Sequence, residues 1–199
     1  VYTATLSAIL LLAAHSWQLL PGVPQLEACS SSRSSKQLQT LNDMKKIVPF
    51  LWFNSEAEEA ARYYTSIFKN SKINNVTHYP EGGMQPAGTV MTVSFQLNGE
   101  EFTALNGGPH FKFTEAISFV VQCDDQAELD MMWDKLSDGG TIQQCGWLKD
   151  KYGVSWQIVP AHLDKLLNGK DPARVKRVMD VVMKMIKLDI KTMEAAYNG

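Results

Sequence analysis

The feature that most constrains this chain is an internal repeat. Sliding the sequence along itself by 69 residues lays Phe50 on Phe119, Leu51 on Val120, Ser55 on Asp124, Ala60 on Leu129, Tyr64 on Trp133 and Ile73 on Ile142. The matched string keeps the order of elements, a helix-capping side chain and a large aromatic. Whatever the fold is, it must be buildable twice from one supersecondary unit.

That unit can be read from hydrophobic periodicity. Residues 47–53 (IVPFLWF) favour a strand. Ser55 with Glu58 three residues later has the form of a capping box, with Ser55 as N-cap. Ala57, Ala60, Ala61, Tyr64 and Phe68 follow at helical spacing. A strand over 72–79, a Gly- and Pro-rich loop over 80–88, and an alternating strand over 89–97 come next. Asn98-Gly99 is a strong hairpin signal, and 101–106 returns as the next strand. The second copy has a strand over 116–123, a helix capped by Asp124 or Asp125, Gly139-Gly140 to end it, and shorter strands over 141–145, 146–149 and 154–159. Helices are expected over 161–167 and 171–187, the latter begun by Pro172. Its apolar stripe of Val175, Val178, Met179, Val182, Met183 and Ile186 must pack on the sheet or on another subunit. The fold class is therefore α+β: two tandem βαβββ modules, about 46–106 and 115–159, forming a cleft, with a helical tail over 160–197.

Composition narrows the class further. Hydrophobic residues are 45% and charged residues 20%, as in globular domains. Nineteen Lys and Arg against 21 Asp and Glu leave a net charge of −2, so no chain-wide basic field for nucleic acid exists. No run of 18 apolar residues marks a membrane span. The three cysteines, Cys29, Cys123 and Cys145, are too few and too odd for a disulfide framework, and read as free thiols in a reducing, cytoplasmic compartment.

Residues 1–43 differ from the rest. They hold the apolar run Leu6–Ala14, with no Lys or Arg before it, and five serines between Ser30 and Ser35. Three readings stay open: translated sequence upstream of a start at Met44, an export or targeting segment, or a genuine extension packed on the domain. Export is expected only under the second.

From Met44 to about Tyr197 the chain resembles the vicinal oxygen chelate superfamily of glyoxalases, extradiol dioxygenases and bleomycin and fosfomycin resistance proteins. Within it, the PhnB-like group (3-demethylubiquinone 3-methyltransferase-like) is the nearer match. The strings that carry the resemblance are 47–53, EEAARYYTSIF (58–68), FTALNGGPHFKF (102–113), ISFVV (117–121) and CGWLKDKYGVSWQIVP (145–160). The resemblance implies a homodimer and, in metal-dependent members, His on each module's first strand with Glu near the end of its last. Those positions fall here on Pro49, on Ala116 or Ser118, and on Gln157. Such a set suits no hard cation, so no metal and no other cofactor is expected. A methyltransferase cofactor site is not expected either, since no glycine pair follows a strand and opens a helix.

Candidate ligand-binding residues are Trp52, Trp147 and Trp156 as cleft walls, Asn106 before Gly107-Gly108, His110 at the cleft mouth, and Gln157. Cys145 is the one candidate nucleophile, with Lys149 four residues on to depress its pKa. The bland alternatives are core packing for the tryptophans, a crossover loop for the glycines, a solvated His110 and a buried inert Cys145. Two functions follow: a small-molecule-binding protein of the bleomycin-resistance type, or a metal-independent enzyme acting on a small oxygenated or aromatic substrate. No activated acid–base pair is evident, which favours the first.

Overall fold

The computed structural model describes residues 47–199. The readings made for residues 1–43, Cys29 included, fall outside the described residues.

Two four-stranded sheets carry the repeat. The first has the order β1-β4-β3-β2, with β1 (Phe50–Phe53), β2 (Lys72–His78), β3 (Val90–Leu97) and β4 (Glu100–Asn106). The second has the order β5-β8-β7-β6, with β5 (Phe119–Cys123), β6 (Thr141–Ile142), β7 (Trp147–Lys149) and β8 (Ser155–Pro160). In each, the first strand runs parallel to the last, Phe50 opposite Thr103 and Phe119 opposite Trp156, and the other pairs are antiparallel. Helix α1 (Ala57–Ile67) crosses from β1 to β2, and helix α2 (Gln126–Ser137) from β5 to β6. The repeat spacing holds through β1, α1 and the start of β2. It fails afterwards because a long loop precedes β3 and only a short one precedes β7. The tail forms α3 (Leu163–Leu167), α4 (Pro172–Val182) and α5 (Ile190–Asn198).

Local chemistry explains most of these elements. Asn98 and Gly99 both have positive φ, 50° and 89°, which matches the right-handed twist of the β3–β4 hairpin. Ala57, Ala60 and Ala61 are small enough for α1 to lie close on Val93, Phe95 and Ala104, with Tyr64 fully buried beyond them. Asp125 caps α2 by accepting from Glu128 N at 2.8 Å, while the Glu128 carboxylate reaches back to Asp124 N at 2.9 Å.

Four expectations are corrected. Ser55 is not the N-cap of α1: the helix begins after Glu56, and its first amide, Ala57 N, donates to Asn106 Oδ1 at 2.8 Å. The strand expected from 116 starts at Phe119, where pairing with β8 begins. The helix expected over 171–187 ends at Val182, because the Met185 and Ile186 carbonyls accept from Cys145 N and Gly146 N, each at 2.8 Å. A further helix, α5, follows, with its first amide held by Gln126 Oε1 at 2.9 Å. The apolar stripe of α4 turns Val178 and Val182 into this chain's own core, leaving Ile186, past the helix end, exposed.

The two modules share one core. Tyr64 of α1 reaches Asp150 Oδ2 with its hydroxyl at 2.7 Å, and its ring lies 5.4 Å from that of Trp156. The Tyr63 hydroxyl donates to the Lys135 carbonyl, and Tyr152 donates to Glu59 Oε1 at 2.7 Å.

Candidate functional site

Strand alternation decides where the candidate residues point. Trp147 is opposite Gln157 and Leu148 is opposite Trp156, so Trp147 and Trp156 lie on opposite faces of the second sheet. The three tryptophans expected to wall one cleft therefore lie apart. Trp156 is 3% exposed, stacks on Phe68 at 5.6 Å, and donates its indole N–H to Asp150 Oδ2 at 2.8 Å. Trp147 and Gln157 share the other face, where Gln157 Nε2 donates to Ser118 Oγ at 2.9 Å. Trp52 lies in the first module and donates to the Gly108 carbonyl at 2.9 Å.

Asn106 is engaged within the fold at every polar atom of its side chain. Oδ1 accepts from Ala57 N, and Nδ2 donates to the Val90 carbonyl at 3.0 Å. Its own carbonyl accepts from the Tyr79 hydroxyl at 2.6 Å. His110 sits exposed on the loop joining the modules.

Cys145 is 6% exposed, in a left-handed backbone conformation (φ 60°), with Sγ 3.9 Å from Met183 Sδ. Burial pushes its thiol up rather than down. Lys149 pairs instead with Glu115 at 2.6 Å, and that contact holds the Glu115 carboxyl below the usual range. Burial raises the Cys123 thiol to about 12, with the nearby carboxylates of Glu128, Asp124 and Asp125 adding to it. Neither thiol is activated toward thiolate by its surroundings. In a Cys29→Ser background, the folded protein is expected to react with a chromogenic disulfide at least about a hundredfold more slowly than after denaturation in urea. Rapid native labelling of Cys145 would show that it is a reactive thiol after all.

The positions that the resemblance assigns to metal ligands do not fit a divalent ion. Pro49 has no ligating side chain, and its carbonyl accepts from Thr103 N at 3.0 Å. Ala116 offers a methyl group, and Ser118 and Gln157 are hydrogen-bonded to each other. Among the described residues, no group of three or more His, Cys, Asp or Glu is placed to hold a metal.

What the modules do enclose is a groove of about 680 Å³. It runs along the edge of β5, which pairs only with β8 among the described strands, and is faced by the β3–β4 turn and the end of α1. Its floor is a chain of rings: Phe102 on Phe119 at 5.3 Å, Phe119 on Trp156 at 5.4 Å, and Trp156 on Phe68 at 5.6 Å. Lys69 and Glu128 bridge it at 3.8 Å. Of the candidate residues only Trp156 lines it. Phe102 and Phe119 line it too and are not among the candidates, because nothing in one strand tells which other strand its side chain will meet.

Two βαβββ modules, each a four-stranded mixed sheet crossed by one helix, define a duplicated α+β protein. The family model described as 3-demethylubiquinone-9 3-methyltransferase matches residues 45–159, which spans both modules, and the chain belongs to that family. Among solved structures, a PhnB protein from Bacillus cereus is 40% identical, with a TM-score of 0.54, over 58% of this chain and 98% of that one. Protein PA1353 from Pseudomonas aeruginosa is 21% identical, with a TM-score of 0.49, over 58% and 96%. The fosfomycin resistance protein FosX from Mesorhizobium loti is 11% identical, with a TM-score of 0.43, over 67% and 98%. Comparison with curated proteins finds no match. Among the described residues no helix is long and apolar enough to cross a membrane.

Proposed function

We propose that this chain binds a small organic molecule in the groove between its modules and releases it unchanged. The observation that carries this reading is the groove itself: about 680 Å³, open to solvent, with a floor of contacting aromatic rings. Such a volume suits a drug-sized ligand, and rings give it large apolar contact. The free edge of β5 adds backbone donors and acceptors that can fix a polar group of the ligand. The chemistry nearby supports binding over turnover: Cys145 is buried away from the groove lining, and burial pushes its thiol up rather than activating it. A homodimer belongs to the same proposal, and sedimentation at twice the 22.2 kDa chain mass is its expected signature.

The test is a thermal-shift screen on the full chain, followed by recovery of each hit after prolonged incubation. Hits should be recovered intact. Val120→Trp, at the exposed wall of the groove, should weaken them about tenfold or more, the scale of one well-packed aromatic pair. A chemically altered hit would overturn the binding reading in favour of a metal-independent enzyme. Full affinity in Val120→Trp would move the site elsewhere.

A further inference from the structure

A second cavity, about 360 Å³, lies at the end of β1 against the loop that joins the modules. It shares no lining residue with the groove. Its walls are aromatic. Trp52 meets Phe111 edge-on at 4.9 Å, and Phe53 meets Phe113 at 5.2 Å and Tyr152 at 6.2 Å. Phe111 is 66% exposed, an unusual position for a phenyl ring in water.

The Trp52 wall is built rather than incidental. Its indole N–H is held by the Gly108 carbonyl, and its ring lies against the backbone at Gly107. A Cβ on Gly107 would fall 2.2 Å from that ring, so only glycine permits this placement. An indole fixed before a ligand arrives loses little freedom when one binds.

One cation in the lining is left to a ligand. Lys112 and Lys151 line the cavity. Lys112 is exposed and pairs with no acid among the described residues. Lys151 lies 5.0 Å from the Tyr152 ring centre and is shared with Glu59 at 3.4 Å. Glu56, the one acid in the lining, is turned back onto Ser55 N at 2.9 Å. With Lys151 shared with Glu59 and Glu56 turned onto Ser55 N, Lys112 is the cation of the lining that has no acid partner among the described residues, so it can take an anionic group, while the rings favour a flat partner.

We propose that this cavity binds a small planar aromatic carboxylate, its ring laid against the touching Trp52 and Phe111 rings and its carboxylate toward Lys112. The site is independent of the ligand assigned to the groove.

Isothermal titration of the full chain with 2-naphthoate tests this, against 2-naphthylmethylammonium (the same rings, opposite charge) and cyclohexanecarboxylate (the same charge, no aromatic ring). Naphthoate should bind at least about tenfold tighter than either. Lys112→Met should weaken it about fivefold, the upper range for an exposed ion pair, and more so at low salt. Phe111→Ala should weaken it about tenfold. Both side chains are exposed, so both variants keep the fold, which far-UV circular dichroism checks. Equal affinity for the three probes, no saturable binding at millimolar naphthoate, or wild-type affinity in both variants would overturn the proposal.

Discussion

Replacing Asp150 by alanine is expected to lower stability by about 3–5 kcal/mol, read from urea unfolding. Asp150 is 3% exposed and accepts four hydrogen bonds. Oδ2 takes the Tyr64 hydroxyl at 2.7 Å and the Trp156 indole at 2.8 Å, and Oδ1 takes Tyr152 N at 2.9 Å and Val154 N at 3.0 Å. Truncation leaves two side-chain donors buried without a partner, each costing about 1–3 kcal/mol, and frees the β7–β8 turn. Because Tyr64 belongs to the first module and Trp156 to the second, the loss falls on the docking of one repeat on the other. Tyr64→Phe should cost about 1 kcal/mol alone and much less in the Asp150→Ala background, since the bond it removes is already gone. A loss under about 1 kcal/mol for Asp150→Ala would show that the carboxylate is not the tie between modules.

The same residue gives a pH signature. Burial pushes the Asp150 carboxyl up, against the pull of its donors from Trp156, Tyr64 and the turn amides. A carboxyl raised on folding binds its proton more tightly in the native state than in the unfolded chain. Its contribution to stability is therefore fully present below the ordinary carboxylate range and declines as pH rises through the raised value. The stability difference between wild type and Asp150→Asn should fall with rising pH across that window and be flat above it. A difference that grows with pH would mean that the donors, not burial, dominate.

Asn106→Ala is expected to cost about 2–4 kcal/mol in the same assay, combining the lost cap at Ala57 N with the lost hydrogen bond to the Val90 carbonyl. The side chain joins three elements: it ends β4, caps α1 at Ala57 N and holds the Val90 carbonyl at the start of β3. Amide exchange should accelerate first in the initial turn of α1, where the cap is removed. Affinity of the surviving folded protein for groove ligands should stay unchanged. A stable Asn106→Ala protein that had lost its ligand would return Asn106 to the binding site.

These two residues show where local reading stops. Asn98-Gly99, the Asp125–Glu128 box and the buried alternation of Val93, Phe95 and Leu97 act through neighbours a few residues away. Their chemistry is legible in the string itself. Asn106 lies 49 residues from the amide that it caps, and Asp150 lies 86 from the hydroxyl that it accepts. No short window along the chain contains such a pair. Ser55 has the local pattern of a cap, while a better-placed acceptor on β4 takes the helix start. Phe111, Lys112 and Phe113 stand together in the string, but the Trp52 that completes their cavity comes from β1.

The sequence by itself determined the repeat, the α+β class and the family, because periodicity, turn chemistry and long matching strings are properties of order along the chain. Tertiary structure alone decided which faces meet. It turned Trp156 away from Trp147, set Asn106 and Asp150 as ties within and between the modules, buried Cys145 against Met183, and opened two separate cavities where one cleft was expected. The physical reason is that a strand fixes only the alternation of its side chains. Which alternate set lines a cavity depends on the docking of two sheets, and that docking is set by contacts between residues far apart in sequence.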